Sequence, residues 1–195
     1  MKNRETILNA VRSHSPAPTE LPSLQQAWVR YDDPFAQFKL LLESVGGQCV
    51  SVASQAQVIG VLAAIPEYAA AKQIVSRIPA VPGNVDLDAI DDPHELEPVD
   101  WAVLSAEFGV AENGAVWVTD AQLKHRVIYF ICQHLALVLP KREIVHNMHE
   151  AYTRITVGAS SLGLFLSGPS KTAGMEQFLV IGAHGPRSLT VICVE

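Results

Sequence analysis

The sequence has few charged residues and no cluster of basic ones. Charged side chains make up 17% of its 195 residues, hydrophobic side chains make up 49%, and the formal net charge is −6. Because nucleic acids and anionic membranes bind basic surfaces, this composition argues against both as the main partner. The one local basic group, at residues 124–126, is typical of a solvated turn. Small molecules and other proteins remain as partners.

The chain also lacks long apolar runs and paired cysteines. No apolar run approaches the roughly 18 residues that a membrane-spanning helix needs. Residues 1–16 lack the apolar core of a secretory signal, so we expect a cytoplasmic protein. Cys49, Cys132 and Cys193 lie far apart, each in an apolar run and none in a C-x-x-C pair. We interpret them as reduced core thiols, which cannot hold a four-cysteine iron–sulfur cluster.

Several motifs of known chemistry are absent as well. Without a G-x-G-x-x-G or a P-loop, an ordinary dinucleotide or nucleoside triphosphate site has no support. Residues 158–163 lack the second glycine of a nucleophile elbow, which disfavours serine hydrolase chemistry. His146 and His149 are three residues apart without the H-E-x-x-H order, so we interpret them as a half-buried helix pair and predict no metal site.

The first part of the chain differs in pattern from the rest. Residues 3–13 have the spacing of a short amphipathic helix, and three prolines follow within residues 15–24. We therefore assign residues 1–33 to an N-terminal helix and a proline-rich arm, and residues 34–195 to one α/β domain.

Apolar strand-like runs alternate with helical patterns through that domain. Asp33 before Pro34 predicts a capped helix that ends at Gly46, and residues 141–155 also have helical spacing. Residues 79–98 are predicted to form a surface loop with at most one short helix. The alternation predicts a mostly parallel sheet with helices on both faces, whose ligands lie beyond the carboxyl ends of the strands.

The segment at residues 166–187 is the most informative for function, and it reads LSGPSKTAGMEQFLVIGAHGPR. An apolar strand is followed by a glycine turn, a predicted helix that Ser170 or Thr172 caps, and a second glycine loop. Lys171 and the free amides of a helix start favour an anion such as phosphate or carboxylate. His184 and Arg187 are the best polar candidates in the second loop. The alternative is a plain turn and helix cap, with Arg187 paired to an acidic neighbour.

This segment resembles the C-terminal signature of the LUD (lactate utilisation) family, of the protein C type. The family's Ser-Gly-Pro-Ser-Arg/Lys-Thr-Ala start and Gly-x-His-Gly-Pro close both match, and residues 111–114 are similar to its Ala-Glu-Thr/Ser-Gly. The resemblance covers residues 35–195 and implies a fold like that of the glucosamine-6-phosphate deaminase, ribose-5-phosphate isomerase and CoA-transferase group. Gly174 replaces an aspartate of the family, and Asn113 replaces its threonine or serine.

The resemblance implies a bacterial accessory subunit that supports oxidation of L-lactate to pyruvate with an iron–sulfur subunit and a second LUD protein. Iron–sulfur clusters are expected only in those partners, and no cofactor is expected in this chain. The alternatives are an independent enzyme, with Glu112 or His184 as the catalytic candidate, and a regulator that binds a small anionic or phosphorylated ligand. The candidate ligand-binding residues are Gly114, Gly168, Pro169, Ser170, Lys171, Thr172, Glu176, Gly182, Gly185 and Arg187.

Overall fold

The centre of the molecule is a five-stranded sheet in which every neighbouring pair of strands is parallel. A computed structural model describes residues 2–173 and 178–195. The order across the sheet is β1, β11, β6, β3, β2. These strands are β1 Gln48–Val52, β2 Ile74–Ser76, β3 Trp101–Ser105, β6 His134–Pro140 and β11 Ser188–Val194. The predicted fold class, a mostly parallel α/β sheet, is confirmed.

Alternate residues of the central strands face two separate cores, because successive side chains of a strand point to opposite faces. On one face, Leu135 and Leu137 of β6 pack in a core with Phe38 of α2 (Pro34–Ser44). On the other face, Ala136 and Val138 join a core with residues of α3 (Val58–Ala63) and α4 (Pro66–Ala69). Helices therefore cover both faces, which explains why the strands are apolar almost throughout.

The start of α2 follows the sequence prediction. The Asp33 side chain accepts a hydrogen bond from the amide of Ala36 at 3.0 Å, and Pro34 occupies the first turn, where a missing N–H costs nothing. Gly46, with a φ of +88°, follows the end of the helix.

A second, four-stranded sheet was not predicted. Its order is β7, β4, β5, β8, with β5 antiparallel to both β4 and β8, and β7 parallel to β4. It contributes Val116 and Val118 to the same core as α2. Its strands are β4 Phe108–Val110, β5 Ala115–Thr119, β7 Ile144–Val145 and β8 Gly163–Leu166.

The helix predicted over residues 141–155 is shorter than expected. Residues Lys141–Glu143 form a 3₁₀ turn, β7 follows, and α6 covers only Met148–Arg154. The Asn147 side chain caps α6 by accepting from the amide of Glu150 at 2.9 Å. Because this cap starts the helix at Met148, the β-branched residues Ile144 and Val145 lie outside the helix and can pair in the second sheet.

The remaining segments connect or flank the sheets. Helix α1 (Lys2–Ser13) is followed by an arm without helix or strand up to Pro34, and the division at residue 33 stays a prediction. Residues 79–98 form a loop with one 3₁₀ turn, as predicted, and bury Val81, Leu87 and Leu96. Helix α5 (Ile128–Ile131) precedes β6. Within residues 2–173 and 178–195, no helix is long and apolar enough to span a membrane.

Candidate functional site

The signature segment forms a β-hairpin where the sequence predicted the start of a helix. Strand β9 (Lys171–Ala173) pairs antiparallel with β10 (Leu179–Ile181), and the pair belongs to neither sheet. The prediction that Ser170 or Thr172 caps a helix is therefore wrong, and anion binding at these residues stays a prediction without the support of a helix start. Thr172 pairs with Val180, and this strand pairing has taken the place of a helical turn. The candidate Glu176 and the Gly174 replacement lie outside the described residues.

The structure does bring the two predicted glycine loops together. The amide of Ser170 donates to the carbonyl of Pro186, and the amide of Gly182 donates to the carbonyl of Ser170, both at 2.9 Å. Between the loops lies a cavity of about 270 Å³, which we call the signature cavity. It is lined by Gly168, Pro169, Ser170, His184, Gly185 and Pro186, with Tyr129, Phe130, Leu135, Phe165, Leu166, Ser167 and Leu189.

Two of the predicted glycines permit close approaches that another residue would block. Gly168 has a φ of +73°, and a Cβ there would lie 2.7 Å from the carbonyl oxygen of Val45. Gly182 has a φ of +78°, and its Cβ would lie 2.5 Å from Cγ of Arg187. Both positions require glycine for backbone conformation and for space. Their role in the structure is to shape the loops around the cavity.

Lys171 forms a hydrogen bond at the carboxyl end of helix α2. Its ammonium group donates a hydrogen bond to the carbonyl of Val45, just beyond the last residue of α2. A cation at this position satisfies a free carbonyl and complements the negative end of the helix dipole. Lys171 is not among the residues that line the signature cavity.

His184 and Arg187 lie in different surroundings. His184 is exposed and lines the signature cavity, whereas Arg187 is exposed and lies outside its lining. Among the described residues none forms an ion pair with Arg187, so the acidic neighbour considered from the sequence is not seen. Burial is the main cause that lowers the pKa of His134, while smaller effects come from the charges of Glu67 and Asp100, which raise it, and of Arg187, which lowers it. His134 stacks on Trp101 and shares a hydrogen bond with the hydroxyl of Ser188 at 2.8 Å.

Glu112 and Gly114 are placed against helices. The Glu112 carboxylate accepts a hydrogen bond from the amide of Met148 at 2.8 Å, at the start of α6. A Cβ at Gly114 would lie 2.5 Å from the amide nitrogen of Leu42 in α2. The Ser167 hydroxyl donates to the carbonyl of Asn113 at 3.1 Å, which links this turn to the signature segment. Glu112 does not share a cavity lining with His184, and its catalytic role stays a hypothesis.

A second cavity lies at the carboxyl ends of the parallel strands, and its residues were missed from the sequence. Arg77 follows β2, Ser105 ends β3, and Glu107 comes two residues later. With Thr119 and Tyr129 they line a cavity of about 110 Å³, which we call the carboxyl-edge cavity. Tyr129 also lines the signature cavity. Polar residues directly after two buried strands were the signal that could have found this site.

Hydrogen bonds and an ion pair hold the groups around this second cavity. Burial, with the charges of Glu107 and Asp120, raises the pKa of Tyr129 to about 12, so the phenol stays protonated. The Tyr129 hydroxyl donates to the carbonyl of Thr119 at 2.9 Å. A hydrogen bond from Arg77 lowers the pKa of Asp88 and raises that of Arg77 itself.

The cysteines and the histidine pair have structural surroundings. All three cysteines are free and buried, and burial raises the pKa of Cys132 to about 12. His146 accepts a hydrogen bond from the amide of Tyr31 at 3.0 Å, and His149 stacks on Trp28. Among the residues that the structure describes, no group of three or more His, Cys, Asp or Glu side chains is arranged to hold a metal ion.

Comparison with solved structures shows the same fold elsewhere. A crystal structure of a DUF162 family protein from Deinococcus radiodurans superposes with a TM-score of 0.58 and 22% sequence identity, and the match covers 83% of this chain and 96% of that one. The likeness supports the α/β fold derived above.

Comparison of sequences identifies relatives and a family. The lactate utilization protein C of Halalkalibacterium halodurans is 30% identical over 107 residues, which are 52% of this chain and 46% of that protein. Its counterpart in Geobacillus thermodenitrificans is 31% identical over 118 residues, 57% of this chain and 47% of that protein. The match thus spans about half the length of these curated relatives. The LUD domain matches residues 87–194, which include β3 to β11 and both cavity-lining loops. This chain belongs to the LUD domain family.

Proposed function

We propose that this chain is an accessory protein of lactate utilisation. In this proposal it supports the oxidation of L-lactate to pyruvate, while an iron–sulfur subunit and a second LUD protein carry out the electron transfer. The names of the relatives, lactate utilization protein C, support the lactate-utilisation role. Four cysteine thiolates hold a typical iron–sulfur cluster, and Cys49, Cys132 and Cys193 are three buried free thiols, so the proposal assigns the clusters to the partners.

The observation that carries this proposal is the exposed apolar surface of the signature hairpin. Phe178 is 73% exposed, and each of the three residues of β10 is at least 49% exposed. Four consecutive apolar side chains on an isolated two-stranded hairpin are costly to leave in water and are typical of a protein interaction site. Because the hairpin is part of the family's signature segment, we assign this surface to the contact with the iron–sulfur subunit.

The experiment compares two charged substitutions at the hairpin with one elsewhere. Leu179→Lys and Val180→Lys place a cation on the proposed contact surface, and Val157→Lys is the matched control because Val157 is 95% exposed outside the hairpin. Tagged chains are expressed in the native host, and copurified proteins are identified by mass spectrometry and by their iron content. We expect the two hairpin variants to lose the iron–sulfur partner and the control to retain it.

Growth on L-lactate provides the functional readout in a host that lacks its own copy of the gene. The wild-type chain and Val157→Lys should restore growth, and the hairpin variants should not, with equal thermal stability for all four proteins. Restored growth by both hairpin variants contradicts the assigned surface. Unimpaired growth of the deletion strain on L-lactate contradicts the accessory role itself.

A second candidate function is the binding of a small ligand by an independent enzyme or regulator. The observation that favours it is the signature cavity of about 270 Å³, into whose lining the structure brings Ser170 and His184. A thermal-shift screen with lactate, pyruvate, sugar phosphates and CoA esters tests it. A stabilisation that His184→Ala abolishes supports ligand binding there, and a stabilisation unchanged in that variant argues against it.

A further inference from the structure

The carboxyl-edge cavity is built from four segments that are distant in sequence. Arg77 comes from the end of β2, Ser105 and Glu107 from the end of β3, Thr119 from the end of β5 and Tyr129 from α5. The amide of Arg77 donates to the carbonyl of Val103 at 2.9 Å, which fixes the Arg77 backbone to the neighbouring strand. In open parallel sheets, ligands bind beyond the carboxyl ends of the strands. The position of this cavity is therefore that of a binding site.

The Arg77 guanidinium is only partly used by the protein. Its Nη2 donates to Asp88 at 2.5 Å, and the resulting ion pair holds this end of the group. Its Nε is buried without a partner and is closed to a ligand, whereas Nη1 makes no hydrogen bond among the described residues. Nη1 is therefore the donor that remains for a ligand, and a carboxylate is one of the acceptors that suit a guanidinium.

On the Glu107 side, the cavity offers an acceptor. One carboxylate oxygen of Glu107 accepts from the Thr119 hydroxyl at 2.8 Å, which orients the side chain. The second oxygen has no hydrogen-bond partner among the parts of the chain that the structure describes. Thr119 is itself held, since its carbonyl accepts from the Tyr129 hydroxyl. A ligand hydroxyl or amine would complete the hydrogen bonding of Glu107.

Charge and volume narrow the class of ligand. A lone anion such as phosphate would bind near Arg77 but would be repelled by Glu107, whereas a molecule with both an acceptor and a donor satisfies both groups. The volume of about 110 Å³ is below that of pockets for drug-sized ligands, so the cavity suits a small molecule.

We propose that the carboxyl-edge cavity binds a small molecule with a carboxylate at one end and a hydroxyl or amine donor at the other. Arg77 takes the carboxylate, and Glu107 accepts from the donor. This inference goes beyond the accessory role and does not depend on it, because hairpin variants that lose the partner leave this cavity unchanged.

Four probes of similar size or known charge test the proposal on the full chain by ligand-observed NMR titration. L-lactate carries a hydroxyl, L-alanine carries an ammonium group, propionate carries neither, and inorganic phosphate is a plain anion. We expect lactate or alanine to bind with a Kd about tenfold or more below those of propionate and phosphate. The tighter of the two shows whether the donor is a hydroxyl or an amine.

Substitutions of the residues that line the cavity test whether the probes bind there. Arg77→Gln and Glu107→Gln should each raise the Kd about tenfold or more. Arg142→Gln is the matched control because its side chain is 84% exposed and, among the described residues, pairs with Glu143 alone. Glu107→Gln keeps an acceptor for Thr119, so it tests the site even where Arg77→Gln fails to fold. The proposal is overturned by equal binding of propionate and lactate, by unchanged binding in Glu107→Gln, or by no binding of lactate or alanine at about 50 mM.

Discussion

Asn147 fastens the proline-rich arm to helix α6. Its side-chain amide donates to the carbonyl of Val29 at 2.8 Å, while its oxygen caps α6 at the amide of Glu150. The side chain is buried, and Arg30 and Trp28 reinforce the contact through Glu150 and His149. One residue thus joins two segments that are far apart in the sequence.

Substitutions at Asn147 should separate these two roles. Asn147→Ser keeps a cap oxygen but loses the donor to Val29, so the arm should become sensitive to limited proteolysis while α6 remains capped. Asn147→Ala loses both contacts and should lower the free energy of unfolding by about 1 kcal/mol more than Ser does, measured by urea denaturation. Equal protease resistance of the wild type and both variants would contradict the role in the arm.

Gly114 should be one of the glycines at which substitution destabilises the protein most. Gly114→Ala combines a φ of +65° with a Cβ at 2.5 Å from the amide of Leu42, so we expect a loss of more than about 2 kcal/mol in chemical denaturation. Gly60→Ala in α3 is the matched control, because nothing lies within 4 Å of its Cβ. That substitution should stabilise the protein by about 0.4–1 kcal/mol. Similar effects at both positions would show that the close approach to α2 is unimportant.

Glu112 can be tested as a structural residue against its catalytic hypothesis. Glu112→Gln keeps an acceptor for the amide of Met148 and should change the free energy of unfolding by less than about 0.5 kcal/mol, whereas Glu112→Ala should cost about 1 kcal/mol. Both variants should restore growth on L-lactate if the residue only supports α6. A stable Glu112→Gln variant that fails to restore growth would favour the catalytic hypothesis.

His134 should make stability depend on pH. Burial, its main cause, lowers the pKa of His134 in the folded protein, so the folded state binds its proton less readily than the unfolded chain. The stability associated with the neutral imidazole is present above the ordinary histidine pKa of about 6.5 and is lost as the pH falls through the folded value. We expect the wild type to lose more stability than His134→Gln between about pH 7.5 and 5.5, measured by urea denaturation.

The control for this pH dependence is His14→Gln, since the His14 side chain is exposed and none of the described residues forms an ion pair with it. This variant should follow the wild type across the same pH range. A His134→Gln curve parallel to that of the wild type would mean that other groups determine the dependence.

Local patterns predicted the parts of the fold that local interactions determine. Asp33 and Pro34 predicted the start of α2, because a helix cap depends on residues that are adjacent in sequence. The apolar runs predicted β6 and β11, because a strand buried on both faces is apolar at successive positions. The second sheet was missed because β4 and β7 have only three and two residues, too few to show a period. Ile144 and Val145 fit a helical stripe and a strand equally well, and only the cap at Asn147 decided between them.

In the candidate sites too, features that depend on neighbouring residues were predicted, and features that depend on distant residues were missed. The glycine loops were found because glycines between apolar strand-like runs are typical of turns, and both Gly168 and Gly182 have a positive φ. The hairpin was missed because its pairing joins β9 with β10, which are apart in sequence, whereas a serine and a threonine at its start also suit a helix cap. Arg77 and Glu107 were missed because they come together only when β2 and β3 pair side by side, which no local pattern reveals.

Tyr129 lines both the signature cavity and the carboxyl-edge cavity, and its hydroxyl is hydrogen-bonded to the carbonyl of Thr119. A ligand that displaces Tyr129 in one cavity changes the lining of the other, so the two cavities are coupled through this side chain. Any such coupling is reciprocal, so each ligand changes the binding of the other by the same factor.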